Sequence, residues 1–589
     1  KYELIEMPNE RTIPSEQPKT VVTSTITSGG TQIPETCHVL SVVVSKEVNR
    51  IPVATIVIAD GDPAAQSFEM SNKAEFEPGK EIEIKLGYRS SEETVFKGIV
   101  VKHSIKTRKK NSLLIIECRD KAAKMTAACK SHYFKEMKDS DVMEQLIENY
   151  GLDKDVEGTS IEHQQLVQYN CSDWDFLVCR ADAAGMLCIP NDGKLAIKKP
   201  NFSGETVLTV QYGATIHELD AEIDARLQYK SVKGTMWNYT DQELLADVEA
   251  EEPSIPTAGN LDGTTLANVL GEEEFMLYHS GKIEEPELQQ WVNAKMMKHR
   301  LAKIRGQVKI DGTAAVAPGQ IIELQGVGER FEGKLFVTAV RQQYENGNWQ
   351  TNIQFGINPE WFVQTFNVQQ PLAAALLPAI EGLQIGIVTQ LENDPDGEDR
   401  ILVRIPVIHK DDEGAWCRVS SLDAGDERGM FFRPEINDEV IVGFINNDPR
   451  HGIVLGMLNS SAKPAHLSAK DDNHEKGYQS RSKMKLIFND DKKSINIETP
   501  GGHKVVIDED AKKIQLEDMN GNKIILNEDG ITIESIKEIK MKAATDLKME
   551  GGANVNLKGG SQTKVEGGAG AEISSGGATS VKGSIVNLN

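Results

Sequence analysis

The chain has little of what most chemistry requires. Its seven cysteines, Cys37, Cys118, Cys129, Cys171, Cys179, Cys188 and Cys417, are odd in number, and no two stand at C-x-x-C spacing. That argues against a disulfide framework or a zinc site and for buried free thiols. No apolar run approaches the roughly 20 residues that a bilayer-spanning helix needs. The longest candidate, Ala373 to Ile380, is short and contains Pro378. Lys1 to Arg11 is polar and lacks the apolar core of a signal peptide, so the expectation is a chain made and assembled in the cytoplasm. A net charge of -24 opposes broad contact with a phosphate backbone. The one basic run, Lys106, Arg108, Lys109 and Lys110, reads as a polar turn between two strands. H-E-x-x-H, G-x-S-x-G and the P-loop pattern are absent, and Phe331 occupies the third glycine position after Gly326 and Gly328. Asp471, Asp472, His474 and Glu475 form the densest metal-like cluster, in a polar stretch that reads as a solvated linker. The expectation is therefore no catalytic residue, no metal and no cofactor.

What is present is periodic. After about residue 550 aromatics and proline vanish, a composition shared with disordered tails. Every eighth residue from Ile533 is nevertheless apolar: Ile533, Met541, Met549, Leu557, Val565, Ile573 and Val581. Glycines hold two further phases, Gly551, Gly559, Gly567 and Gly583, and Gly552, Gly560, Gly568 and Gly576. A fixed period of eight marks stacked repeats. Leu547-Lys548-Met549 and Val555-Asn556-Leu557 alternate like strands, with turns at the glycines. One apolar stripe per chain has nothing to cover it, so oligomerisation about a common axis is expected.

Residues 485–531 carry longer alternating strands, separated by turn residues such as Asn520-Gly521-Asn522 and Asp529-Gly530. They read as a broader base of the same rod. From Leu383 to Leu458, five or six short strands fit a small closed barrel of the OB type, with Trp416, Val419, Val440 and Phe444 as its expected core. One of those strands is expected at Met430-Phe431-Phe432. Acidic residues crowd the barrel loops (Asp394, Asp396, Glu398, Asp399, Asp411, Asp412, Glu413), which opposes a nucleic-acid role.

The order Val403-Arg404-Ile405, Trp416-Cys417-Arg418-Val419, Phe432-Arg433-Pro434-Glu435, Asp438 to Phe444, Asp448-Pro449 and Ile453 to Gly456 resembles the OB domain of VgrG and phage spike proteins. Tyr169 to Leu177, followed by Arg180-Ala181 and Gly185-Met186, is similar to the VgrG signature before a short helix. There Ser172 or Asp173 is suited to cap the helix, and Trp174 and Phe176 read as core anchors. Asp139 to Gly151 reads as a capped amphipathic helix, and 38–118 and 205–365 as mostly strand.

The resemblance implies a mainly β fold in four parts. These are a phage-hub-like base over 1–375 (two barrel-like subdomains with a short helical segment near 138–185), an OB-fold over 380–459, a neck over 460–484, and a trimeric, intertwined triple-stranded β-helix over 485–589. It implies a non-enzymatic puncturing spike of a type VI secretion system or other contractile injection system. The expected partners are two further copies of the chain, an Hcp-like inner tube and baseplate proteins, a PAAR-type tip protein, effectors and, transiently, the target membrane, with no nucleic acid. Assembly in the cytoplasm is followed by injection. The chain stops eight residues past Val581, so Ile585, Val586, Leu588 and Asn589 are the expected platform for the tip protein. Alternatives are the spike of an extracellular contractile particle or phage tail and, in a different class, a β-rod adhesin or depolymerase, which would require paired carboxylates in a groove of the rod.

Overall fold

The computed structural model describes residues 21–588 except Glu35, Lys110, 256–257 and 272–273. Lys1–Arg11, Lys110 and Asn589 therefore lie outside the described residues. The chain divides into two units, Lys1–Pro378 and Ala379–Asn589.

In the first unit, period-two alternation builds one thirteen-stranded sheet. Val39–Glu47 alternates inward with Val42 and Val44, pairs with Val53–Ala59 on one side, and pairs with Gly333–Glu345 on the other. That central strand joins two separate apolar cores. One contains Ile56, Ile58, Ile84, Leu86, Phe96, Leu114 and Ile116; the other contains Val308, Ile322, Leu324, Val337, Ile353 and Phe355. The two halves thus share backbone hydrogen bonds. Of the basic run, Arg108 and Lys109 fall in the turn between Ser91–Thr107 and Ser112–Arg119 as expected, whereas Lys106 lies in the first strand, paired with Leu113.

A third core is helical. Asp139–Glu148 and Asp173–Ala183 pack Val142, Met143, Ile147, Leu177 and Val178 together, with Trp174 and Phe176 buried among them. Ser172 caps the second helix, its hydroxyl accepting from Asp175 N–H at 3.0 Å. Asp173 has other partners: Lys130 Nζ and Tyr150 OH at 2.7 Å and Gln168 Nε2 at 2.8 Å. The Asp139 side chain is fully buried, held by Arg180 Nε at 2.7 Å with His163 Nε2 at 3.0 Å.

Burial alone would raise both carboxyl pKa values, but these hydrogen bonds and charges outweigh it and hold both below the ordinary 3.8. A pKa lowered by folding stabilises the fold above the unfolded value and loses that contribution as pH falls through the folded one. The hub's melting temperature is therefore expected to hold down to pH 5 and to fall steeply below about pH 4. Thermal scans between pH 7 and 2 measure this, and the Asp139→Asn variant should flatten the acid limb.

The segment 205–365, expected to be mostly strand, also contains a 17-residue helix, Glu285–Leu301. Its signals were present: Glu285, Pro286 and Glu287 in the first turn, then Leu288, Val292 and Met296 at fourfold spacing. Three basic side chains in a row, Lys298, His299 and Arg300, obscured them, because all three are buried. The cysteine expectation also needs correction. Cys37, Cys118, Cys188 and Cys417 are buried, but Cys171 and Cys179 are half-buried and Cys129 is exposed. Burial pushes the Cys118 and Cys179 thiols up to about 12, far from a nucleophilic thiolate.

The second unit opens with a closed five-stranded barrel: Gln384–Gln390, Ile401–Arg404, Ala415–Val419, Glu439–Phe444 and Gly452–Met457. Val388, Ile401, Val403, Cys417, Val440, Val442 and Val454 fill it, with Val419 and Phe444 partly buried against them. Trp416 belongs to neither group. Along Ala415–Val419 the inward positions are Cys417 and Val419, which puts Trp416 on the opposite face. Met430-Phe431-Phe432 forms no strand. The acidic loop 394–400 is locked rather than loose. Asp394 accepts from the backbone of Asp396, Glu398 and Arg400 and pairs with the Arg400 guanidinium at 2.5 Å. The Arg400 hydrogen bonds hold its carboxyl well below the usual range.

Candidate functional site: an uncovered apolar face

Seven five-residue strands follow the barrel: Glu475–Gln479, Lys485–Asn489, Ser494–Glu498, Lys504–Asp508, Lys513–Glu517, Lys523–Asn527 and Gly530–Glu534. Each pairs antiparallel with the next. The second to sixth coincide closely with the strands read from the sequence; the seventh, Gly530–Glu534, begins in what read as a turn. The first coincides with none of them. Glu475 of the metal-like cluster opens a strand, so the sheet begins inside the expected linker. Among the described residues no group of three or more His, Cys, Asp or Glu side chains is placed to hold a metal ion.

Short polar turns fix the register. At 518–522 the Asp518 carboxylate accepts from the backbone of Asn520 and Asn522, both at 2.9 Å, and Gly521 takes φ +90°. Hydrogen bonds, led by the Asn522 side-chain amide, hold the Asp518 carboxyl down to about 2.

That register has one consequence for the faces. Tyr478 lies opposite Leu486, then follow Ile497, Val505, Leu516, Ile524 and Ile533 in one unbroken column. Two residues along each strand a second column runs Lys476, Phe488, Ile495, Ile507, Ile514, Leu526, Ile531. Both columns project from the same face. The opposite face alternates Ile487, Val506 and Ile525 with Asn496, Gln515 and Thr532. Apart from Lys476 on the first strand this face is apolar, and it is uncovered in the single chain: Phe488 is 42% exposed, Ile497 47% and Ile533 55%. At strand spacings of about 4.8 Å, six steps make a stripe about 29 Å long. So large a contiguous apolar surface marks an interface.

Beyond Glu534 no described residue lies in a strand. Ile533 is the last axis residue on the sheet. Met541, Met549, Leu557, Val565, Ile573 and Val581 follow it, all at least 60% exposed. The strands expected at Leu547–Met549 and Val555–Leu557 are absent from the single chain, since a stretch whose period is spent on turns has no ladder partner within itself. The two columns of the sheet nevertheless continue. Ile533 begins the octad phase read from the sequence, and Ile531 begins a second, Ile539, Leu547 and Val555, which sequence reasoning missed. The alternation within each octad was its signal. Of the expected tip residues, Ile585, Val586 and Leu588 are exposed by 78%, 46% and 91%; Asn589 lies outside the described residues.

Comparison with known proteins agrees with this architecture. Residues 18–346, more than half of the chain, match the family model of the Alg8 N-terminal domain. Residues 384–458 match that of the type VI secretion system/phage-baseplate injector OB domain, and 494–571 that of the phage baseplate V C-terminal trimerisation domain. Among curated proteins, the type VI secretion system spike proteins VgrG1b and VgrG1c of Pseudomonas aeruginosa are similar. VgrG1b is 23% identical over 208 residues, 32% of this chain and 27% of that protein. VgrG1c is 27% identical over 154 residues, 24% of this chain and 20% of that protein.

The chain belongs to the Alg8 N-terminal domain family and is a spike protein of the VgrG type.

The matched region spans less than a third of the length of these curated VgrG relatives. Among solved structures, the 43 kDa tail protein of prophage MuSo2 from Shewanella oneidensis aligns with a TM-score of 0.44 at 11% identity, covering 57% of this spike and 98% of that chain. The trimerisation model begins at Ser494, within the meander, and extends through the octads to residue 571, so one family domain includes both parts of the uncovered apolar surface. No helix among the described residues of the spike is long and apolar enough to cross a membrane.

Proposed function

We propose that three copies of this chain bury their apolar columns against one another and form the puncturing spike of a contractile injection machine. The observation that carries the reading is the uncovered face of the meander, apolar from Leu486 and Phe488 onward, whose two columns pass into the octads. In the trimer, neighbouring chains supply the ladder partners that the octads lack, and stacked turns of three chains make a stiff rod. A rod with a continuous hydrogen-bond network resists axial load and unfolds slowly. The hub sits on an Hcp-like inner tube among the baseplate proteins. Ile585, Val586, Leu588 and Asn589 receive a PAAR-type tip protein by strand addition, and effectors travel with the spike across the target membrane. The complex assembles in the cytoplasm and leaves the cell by injection. Its work is mechanical, without catalysis, metal or cofactor.

Light scattering tests the reading. The full chain should have the mass of three copies. A chain ending at Leu458, where the barrel closes through Leu458 N–H to Glu439 carbonyl at 3.0 Å, should lose the trimer. A monodisperse full-length monomer would overturn the proposal.

A further inference from the structure

One segment of the barrel unit remains unexplained by the barrel or the rod. Ser420–Phe432 is exposed at every residue. Yet it carries Leu422, Met430, Phe431 and Phe432, exposed by 92%, 47%, 76% and 49%. It is not a slack loop. Ala424–Gly425 and Arg428–Gly429 pair as a small hairpin outside the barrel sheet. Met430 N–H donates to the Asp423 carbonyl at 2.9 Å, and the Ser421 hydroxyl donates to the Met430 carbonyl at 2.7 Å. These bonds close the arm on itself, and Ser420 N–H donates to the Val454 carbonyl at 2.9 Å where the arm leaves the barrel. Phe431 and Phe432 leave it in a stretch whose sequence reads as a strand but which, among the described residues, pairs with no strand.

The base of the arm is fixed to the meander. The Phe432 ring meets the Tyr478 ring edge-on at 5.0 Å, and Arg481 Nη1 donates to Glu435 Oε2 at 2.9 Å. Tyr478 is the first residue of the first apolar column. The exposed apolar surface of the arm is therefore continuous with the face that the proposed trimer buries.

We infer that the arm is an interchain clasp, in which Leu422, Met430 and Phe431 pack against a neighbouring copy of the same chain beside the first strand of the meander, completing the Met430–Phe432 strand. The inference rests on the trimer reading. Its occupant is a second copy because the arm begins where the self-complementary face begins, and a threefold axis brings a neighbour to that face. In a lone chain the same side chains only lose free energy to water.

The test uses the full chain and its Leu422→Ser/Phe431→Ser double variant. Both positions are exposed in the single chain and take no part in its core, so the variant folds as the parent does. Mass, the rate of trimer dissociation in denaturant and amide hydrogen exchange at 431–433 are measured. The expected result is a trimer whose 431–433 amides exchange at least about tenfold more slowly than unstructured chain. The double variant should remain trimeric through the meander, dissociate about tenfold or more faster, and lose that protection. A trimer with free exchange at 431–433 and an unchanged dissociation rate in the variant overturns the clasp and leaves the trimer standing. A monomeric parent chain overturns both.

Discussion

Replacing Ile497 by Asp is expected to abolish the trimer, whereas Asn496→Asp, one residue earlier, leaves it intact. The two side chains leave opposite faces of the same strand. Ile497 stands in the apolar column between Leu486 and Val505, and Asn496 stands between Ile487 and Val506 on the mixed face. In a threefold assembly one substitution acts three times. Losing three buried isoleucines removes roughly 5–9 kcal/mol of burial per trimer. Three carboxylates brought together out of water then add an unpaired-charge cost of several kcal/mol each. Because Ile497 is 47% exposed in the single chain, the lone protomer tolerates the change. The variant should therefore be a folded monomer by light scattering and circular dichroism. A trimeric Ile497→Asp chain would place the interface on the other face.

The second large effect is expected in the hub. Asp182 and Lys298 are both buried and meet at 2.5 Å. The other Asp182 oxygen accepts from Phe362 N–H at 2.9 Å, and the Lys298 ammonium lies 5.0 Å from the Trp361 ring centroid. Burial pushes the Lys298 pKa down, against the attraction of Asp182. Asp182→Ala leaves a buried cation without its counter-charge and a backbone donor without its acceptor. The expected cost is about 3–5 kcal/mol of hub stability, read as a lower denaturant midpoint. The double variant Asp182→Ala/Lys298→Met should recover a large part of that loss, because an apolar pair needs no solvation. Equal losses in the single and double variants would assign the effect to the Phe362 contact alone. Neither variant should change the mass of the assembly, since the pair lies within the hub.

Some elements were legible because a local pattern and its turn residues agree. From Lys485 to Asn527, two or three apolar positions per strand and a turn after each strand leave one pairing scheme, and the observed register follows it. The helix at Asp173 was legible from its Ser172 cap. The helix Glu285–Leu301 was not, since Lys298, His299 and Arg300 look solvent-facing until Asp182, the Leu227 carbonyl and Glu252 are brought to them by distant chain. Likewise Trp416 and Cys417 are both credible core residues by type. Which one faces inward depends on the partners of Ala415–Val419 in the closed barrel.

By itself the sequence determined the periods: two along the strands, about ten in the meander and eight in the tail. Those periods are local, and they require a stripe that one chain leaves uncovered. Only the tertiary structure decided which side chains share a face, because pairing register is a relation between segments. It showed that the mixed face and the apolar face are separate, that Ile531 and Ile533 start two seams rather than one, and that Ala424–Gly425 and Arg428–Gly429 pair as a hairpin outside the barrel sheet.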